Sequence, residues 1–386
     1  MEKDFDISEF GARPDGKTMN TAAIQRAIDA CHQAGGGRVL CGPGCYLTAP
    51  LALKSHVELH LVAGCRIVAS TCLGDYKEFT ARGFIAKNAP EKCTHSFLRA
   101  VEAENIAITG PGEINGSGLA FYGPAKQKKR FTQKPRTPRP RLVMFYKCRN
   151  IRFEDTSFID APCWTFWLMQ CERVSIHRVR IIGDQRMLNN DGIDLDACRE
   201  VTVSDSIIKT EDDCLVLRAI QAMYATPAVC ENITISNCIL DTRCNGVRVG
   251  CPGDGVIRNC VFSNLVIPKA YNGVLFEYPK RYLPPRGGGI TEVRDMLFSN
   301  VVVNCVNAPI KVVVENGVKL KRLSGLSFSG FRARSGGPCQ VEGSPGTVIR
   351  DVSFSNMKMA TSGEDAIICR HCQGVKFTNV EFSNRP

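Results

Sequence analysis

The sequence predicts an all-β chain: a right-handed parallel β-helix, coil stacked on coil, with a short capping helix at its N-terminal end. Three observations carry this. First, an alternating strand-like motif recurs at Asn105-Ile106-Ala107-Ile108, Asn150-Ile151-Arg152-Phe153, Arg173-Val174-Ser175-Ile176, Glu200-Val201-Thr202-Val203 and Asn232-Ile233-Thr234-Ile235. Later copies are Leu297-Phe298-Ser299-Asn300, Ser353-Phe354-Ser355-Asn356 and Lys376-Phe377-Thr378-Asn379, at spacings of roughly 23 to 36 residues with loops included. Second, no helix-period segment intervenes, which argues against doubly wound and barrel α/β folds. Third, 386 residues are long for one globular core, and a solenoid escapes that limit because each coil packs only on its neighbours.

The elements follow in order. Phe10-Gly11-Ala12 and Pro14-Asp15-Gly16 are turn chemistry. A helix is expected over about 18–36, with Asn20-Thr21 as its cap, Ile24, Ala27, Ile28 and Cys31 as its apolar face, and Gly35-Gly36-Gly37 as its stop. Such a helix covers the open end of a solenoid, which would otherwise expose core and strand edges. Short strands follow at Arg38-Val39-Leu40, Val57-Glu58-Leu59-His60-Leu61 and Arg66-Ile67-Val68. Residues 69–96 read as an irregular insertion. A basic loop at a cleft edge is expected over 120–141. The repeated Ser-Asn pairs suggest turns with stacked side chains. The whole chain, 1–386, reads as a single domain.

Composition narrows the class. The formal charge is +11, and Lys126, Lys128, Lys129, Arg130, Lys134, Arg136, Arg139 and Arg141 contribute eight of it, so the basicity belongs to one loop. That loop lacks aromatic interleaving and any nucleic-acid motif, so no nucleic-acid partner is expected. No apolar run reaches membrane-spanning length, so no membrane partner is expected. Twenty cysteines stand singly, many in apolar strand contexts such as Cys198, Cys230, Cys238 and Cys260. With no secretion signal at Met1-Glu2-Lys3-Asp4-Phe5-Asp6, they suggest reduced thiols in a cytoplasmic protein. The lone Cys369–Cys372 pair around His371 is too little for a metal site, so no metal is expected. Assembly into a homo-oligomer is compatible with these features.

The chemistry concentrates at Asn189-Asn190-Asp191-Gly192-Ile193-Asp194 and Glu211-Asp212-Asp213-Cys214. Asp191 and Asp212 are 21 positions apart, close to one coil, which predicts three carboxylates on one outward face. Cleaving a glycosidic bond needs an acid for the leaving oxygen and a base for water. Clustered carboxylates supply both, because like charges at close range hold one of them protonated.

Several motifs together resemble glycoside hydrolase family 28, the polygalacturonases and their relatives. They are Phe10-Gly11-Ala12 with Asp15-Gly16-Lys17-Thr18, Gly110-Pro111-Gly112-Glu113-Ile114-Asn115-Gly116, Arg139-Pro140-Arg141-Leu142, Ala161-Pro162-Cys163-Trp164-Thr165 and the two aspartate motifs. The resemblance implies a right-handed parallel β-helix and hydrolysis with inversion. It implies Asp212 as general acid, with Asp191 and Asp213 activating water.

Two departures bear on the substrate. The family's Gly-His-Gly segment aligns with Cys244-Asn245-Gly246, where no histidine stands. Its Arg-Ile-Lys, which grips a substrate carboxylate, aligns with Leu275-Phe276-Glu277. Either the sugar at the cleavage point is not a plain galacturonate, or another cation reads it. Arg218 and Arg248 are the candidate cations, since guanidinium grips carboxylate in a fork. Of the only two tryptophans, Trp164 and Trp167, Trp167 is expected at the cleft as a stacking face. Asn189, Asn245, Glu277 and Tyr278 complete the expected substrate contacts.

The expected activity is an inverting glycoside hydrolase, exo-acting on short pectin-derived oligosaccharides, with an oligosaccharide as its partner and no cofactor. Two alternatives remain: a hydrolase or transferase on a neutral, for example fructose-containing, oligosaccharide, and an inactive carbohydrate-binding β-helix. A calcium lyase fits the acid pair less well.

Overall fold

In the computed structural model, which describes residues 3–123, 138–283, 289–362 and 365–384, the expected helix forms over Thr21–Gln33. It buries Ala23, Ile24, Ala27, Ile28 and Cys31 and packs on strands Asp4–Asp6 and Gly37–Cys41. Asn20 takes the N-cap position, but its side chain does not cap. Asn20 is buried, its Oδ1 accepts from Arg13 N–H at 2.6 Å, and its Nδ2 donates to the Thr18 carbonyl at 2.7 Å. The preceding bend takes the amide that the helix end would have used. After the helix, Gly36 adopts φ +119°, where an added Cβ would sit 2.7 Å from the His56 carbonyl.

Backbone contacts gather into two compact units, Met1–Ile193 with Glu200–Glu211, and Asp194–Arg199 with Asp212–Pro386. Within the first unit, successive coils pair in parallel. Ile106 registers with Ile151 and Ile151 with Val174, while Ile108 registers with Phe153 and Phe153 with Ile176. The motif copies at 105, 150 and 173 are therefore equivalent rungs. A second face stacks Leu51–Ala52, Ser96–Val101, Arg141–Tyr146 and Phe166–Met169. All six residues of Arg141–Tyr146 are buried, inward and outward alike. The cover is the 69–96 insertion: Phe79 is 1% exposed, and Phe84 sets its ring edge-on to Trp167 at 6.1 Å and beside Tyr146 at 5.7 Å. A parallel sheet covered on both sides loses the apolar–polar alternation that marks a half-exposed strand.

In the second unit, long strands Val229–Ser236, Val256–Ala270, Glu292–Cys305, Arg322–Ser329, Ile349–Thr361 and Cys372–Asn384 pair in parallel from each to the next. The register stacks Phe262, Phe298, Phe328, Phe354 and Phe377 into one column, with centroids 4.4, 5.3, 5.4 and 5.2 Å apart. This is the packing meaning of the Phe-Ser-Asn repeat. The asparagines take left-handed corners, with φ +53° at Asn264, +55° at Asn300 and +52° at Asn356. Their amides bond across coils: Asn264 to Asn237 at 3.1 Å, Asn300 to Asn264 at 3.2 Å, Asn379 to Asn356 at 2.9 Å. A second sheet stacks Leu215–Arg218, Asn245–Val249, Asn272–Tyr278, Ile310–Val314, Cys339–Glu342 and Ile367–Arg370.

All twenty cysteines are free, and Cys198, Cys230, Cys238 and Cys260 are buried as small apolar side chains. Among the described residues, no helix is long and apolar enough to cross a membrane.

Candidate active site

In the first unit, the turn carrying Asn189, Asn190 and Asp191 is held by a buried arginine. Arg139 Nη1 donates to the Leu188 carbonyl at 2.7 Å and to the Tyr122 hydroxyl at 3.0 Å. Its Nη2 donates to Asn189 Oδ1 at 3.0 Å, and Glu91 lies 3.6 Å away. Asn189 is thus engaged by the protein, in a left-handed conformation at φ +55°. Asn190 is fully buried: its Nδ2 donates to the Asp184 carbonyl at 3.0 Å, and its Oδ1 accepts from the Glu211 N–H at 2.8 Å. Asn190 and Glu211 are the residues just before Asp191 and Asp212 in the chain, 21 positions apart. The Asp191 carbonyl accepts from Thr165 N–H at 2.8 Å, and Asp191 is 5% exposed.

The second unit holds the acid pair. Asp212 is half-buried and Asp213 buried. Asp212 Oδ1 accepts from the Asp213 N–H at 3.0 Å. Asp213 Oδ1 accepts from Asn245 Nδ2 at 2.5 Å and from Asn245 N–H at 3.2 Å, while Oδ2 faces Arg248 Nη1 at 3.5 Å. Donor atoms of Asp212, Asp213 and Cys244 all lie within 4.8 Å of one another, the only group among the described residues spaced to grip a cation. Burial and the adjacent Asp213 carboxylate push Asp212 up to about 6, against the opposing Cys244 hydrogen bond and Arg248 charge. Burial, then both carboxylates, raise the Cys244 thiol. Cys244 therefore sits here as a neutral donor.

Of the expected substrate contacts in this unit, Asn245 and Arg248 meet the acid pair. Asn245 supplies the donor to Asp213 through its side-chain amide. Arg218 does not join them. Its Nε and Nη2 form a bidentate pair with buried Asp254 at 2.9 and 3.0 Å, so it is a structural cation rather than a substrate grip. Tyr278 is fully buried, its hydroxyl 3.4 Å from the Val249 carbonyl, because strand alternation turns it inward where Glu277 turns outward. Glu277 is partly exposed and accepts from Lys311 Nζ at 2.8 Å.

In the first unit, Trp167 is corrected as well: it is fully buried. The 69–96 insertion covers it, and the Arg141 guanidinium lies 4.2 Å from its ring and 4.5 Å from that of Trp164. Arg139 and Arg141, counted with the basic loop, are buried and donate to backbone carbonyls. Residues 124–137 of that loop lie outside the described residues.

Sequence reasoning missed Lys311 and Arg281, whereas Tyr282 stands in the long loop after Glu277-Tyr278 that reads as a binding wall. Arg281 lies 3.7 Å from Glu277, and Arg248 and Arg281 both stand over the Tyr282 ring. No local motif marks Lys311; only the parallel register sets it beside Leu275.

The comparisons agree with this architecture. The model of glycosyl hydrolases family 28 matches residues 63–385. An endo-polygalacturonase of Pectobacterium carotovorum subsp. carotovorum is 24% identical over 363 residues, covering 88% of this chain and 84% of the relative. Among solved structures, an exopolygalacturonase from Thermotoga maritima superposes at TM-score 0.81 and 23% identity, covering 99% of this chain and 92% of that one. The family 28 exopolygalacturonase of Yersinia enterocolitica superposes at TM-score 0.72 and 18% identity, covering 100% and 78%. The fold is the right-handed parallel β-helix. With a family match over most of its length and an acid pair built into that coil, the chain belongs to glycosyl hydrolases family 28 and is an O-glycosyl hydrolase.

Proposed function

We propose that this enzyme hydrolyses short pectin-derived oligosaccharides, uronate- or rhamnose-containing, from one end and with inversion. Asp212 is the general acid: it protonates the departing glycosidic oxygen. Asp213 orients and deprotonates the attacking water, and Asn245 and Arg248 fix its carboxylate for that task; the family resemblance gives Asp191 a share in that role. The observation that carries this reading is the contrast within the pair. Asp212 holds its proton up to about pH 6, while Asp213 is gripped by an amide and faced by a guanidinium. Inversion follows from water entering opposite the leaving group while the acid acts on the other face. Exo-action is supported by the exopolygalacturonases among the structural neighbours. The abundance of free thiols supports a reducing compartment, and we propose a cytoplasmic enzyme that meets small oligosaccharides rather than polymer.

The test is product analysis. Incubation with galacturonate oligomers should release one sugar at a time, and NMR should show the anomeric configuration inverted at first appearance. Mixed short oligomers from the first minutes would overturn exo-action; retained configuration would overturn the single-step mechanism. A neutral-sugar substrate is the second reading. It is favoured by Leu275, an apolar side chain 3% exposed in the segment that the family resemblance aligns with Arg-Ile-Lys. Cleavage of neutral oligosaccharides but not of uronides would establish it.

A further inference from the structure

The turn that leads into strand Asn245–Val249 puts a thiol beside both acids. Thr242 fixes it there: its Oγ1 donates to the Asp212 carbonyl at 2.5 Å and accepts from the Cys244 N–H at 2.9 Å. The Cys244 carbonyl accepts from the Tyr271 N–H at 2.7 Å and the Asn272 N–H at 3.1 Å, so its backbone is held from both sides. Cys244 Sγ and one carboxylate oxygen each of Asp212 and Asp213 all lie within 4.8 Å of one another. Asn245 Nδ2, which holds Asp213 Oδ1, also donates to Cys244 Sγ at 3.2 Å. With its sulfur accepting from that amide, the thiol keeps its own hydrogen for a carboxylate. The segment that the family resemblance aligns with Gly-His-Gly thus carries a side-chain donor at its first position, where glycine has none.

An inverting step moves charge along this pair. Asp212 gives its proton to the departing oxygen as the glycosidic bond breaks, and the attacking water loses a proton to Asp213 as the new C–O bond forms. Asp213 starts charged and ends neutral, while Asp212 does the reverse. Asn245 and Arg248 serve the charge at the start, since both face Asp213. An S–H that turns about its Cβ–Sγ bond serves either end. We propose that the Cys244 thiol is a positioning residue whose S–H follows the negative charge from Asp213 to Asp212 as the glycosidic bond breaks. This rests on the hydrolase reading above and adds to it a residue outside the three aspartates. The groups that face Asp212 in this unit accord with it. Burial and the Asp213 carboxylate oppose its charged form, whereas the Cys244 hydrogen bond and the Arg248 charge favour it.

The experiment uses the whole chain and a galacturonate trimer. Cys244→Ala takes a donor from the carboxylate that develops at Asp212, so kcat should fall about ten-fold with KM unchanged. Without that donor the charged form of Asp212 is less favoured, so the alkaline fall in rate should move to higher pH. Cys244→Ser keeps a donor and should restore both kcat and the position of that fall. A merely structural role would lower the folded fraction and leave the pH dependence in place. Wild-type kcat with an unmoved pH profile in Cys244→Ala would overturn the proposal while leaving the hydrolase reading intact. If the wild-type enzyme does not cleave the trimer, NMR titration of the aspartate carboxyl carbons decides separately. An Asp212 midpoint that rises in Cys244→Ala and returns in Cys244→Ser supports the contact without the activity, and an unmoved midpoint overturns it.

Discussion

Asn245 Nδ2 donates to Asp213 Oδ1 at 2.5 Å, and its own Oδ1 accepts from Asn272 Nδ2 at 2.8 Å, one rung further along the sheet. Asn272 Oδ1 accepts in turn from Asn307 Nδ2 at 2.8 Å. Three amides thus point the same way, each polarising the next toward the carboxylate. Removing the first link takes a charge-assisted bond from a buried acceptor, worth about 1.5–3 kcal/mol. Asn245→Ala is expected to lower kcat at least about ten-fold, while Asn272→Ala, one link away, lowers it less. Steady-state kinetics check this. Equal effects on KM alone, with kcat intact, would remove the chain from the mechanism.

Asp212 titrates near 6 because burial and Asp213 disfavour its charged form. The protonated form is the acid, so turnover should fall as pH rises above about 6, close to ten-fold per unit at full separation from other groups. Asp212→Asn should abolish reducing-sugar release across the whole range. A pH–rate profile flat from 5 to 8 would dismiss Asp212 as the acid.

Arg218 and Asp254 form a bidentate pair with Asp254 almost wholly enclosed. Truncating Arg218 leaves a buried carboxylate without its counter-charge, held only by the Cys251 N–H at 2.9 Å, a loss of about 3–5 kcal/mol. Arg218→Ala should lower the denaturation midpoint sharply while KM stays the same in whatever protein remains folded. A large KM change with normal stability would return Arg218 to the substrate.

Asp196 is fully buried, accepts from Ile220 N–H at 2.9 Å, and is raised to about 6 by burial. Its folded value exceeds the unfolded one, so the folded state binds the proton more tightly. Stability contributed by this group is full below about pH 4 and is lost as pH rises to about 6, on the order of 2–3 kcal/mol. Asp196→Asn should flatten that stretch of the stability–pH curve, as read by urea denaturation. An unaltered slope would show that Asp196 does not titrate there.

How much was legible can be judged residue by residue. The coil repeat was written in the chain, because rung after rung presents alternate apolar side chains inward and a corner residue in the left-handed region, at many of them an asparagine. Asp212 and Asp213 were legible because adjacent carboxylates stay adjacent in any fold, and Asn245 because its motif survives around the substituted histidine. Trp167 misled because a tryptophan on an outward register reads as exposed until the 69–96 insertion is seen lying over it. Arg218 misled because its partner, Asp254, is 36 residues away and no local pattern joins them.

The amino-acid sequence by itself determined the architecture and the chemical class: period, corner residues and carboxylate pair are all set within a few neighbouring positions. Only the tertiary structure decided which cations face solvent. Burial depends on what packs across a sheet and on which residues meet one rung away. Parallel register brought Arg248 and Lys311 to either side of Leu275, and loops of differing length kept that meeting out of any local pattern.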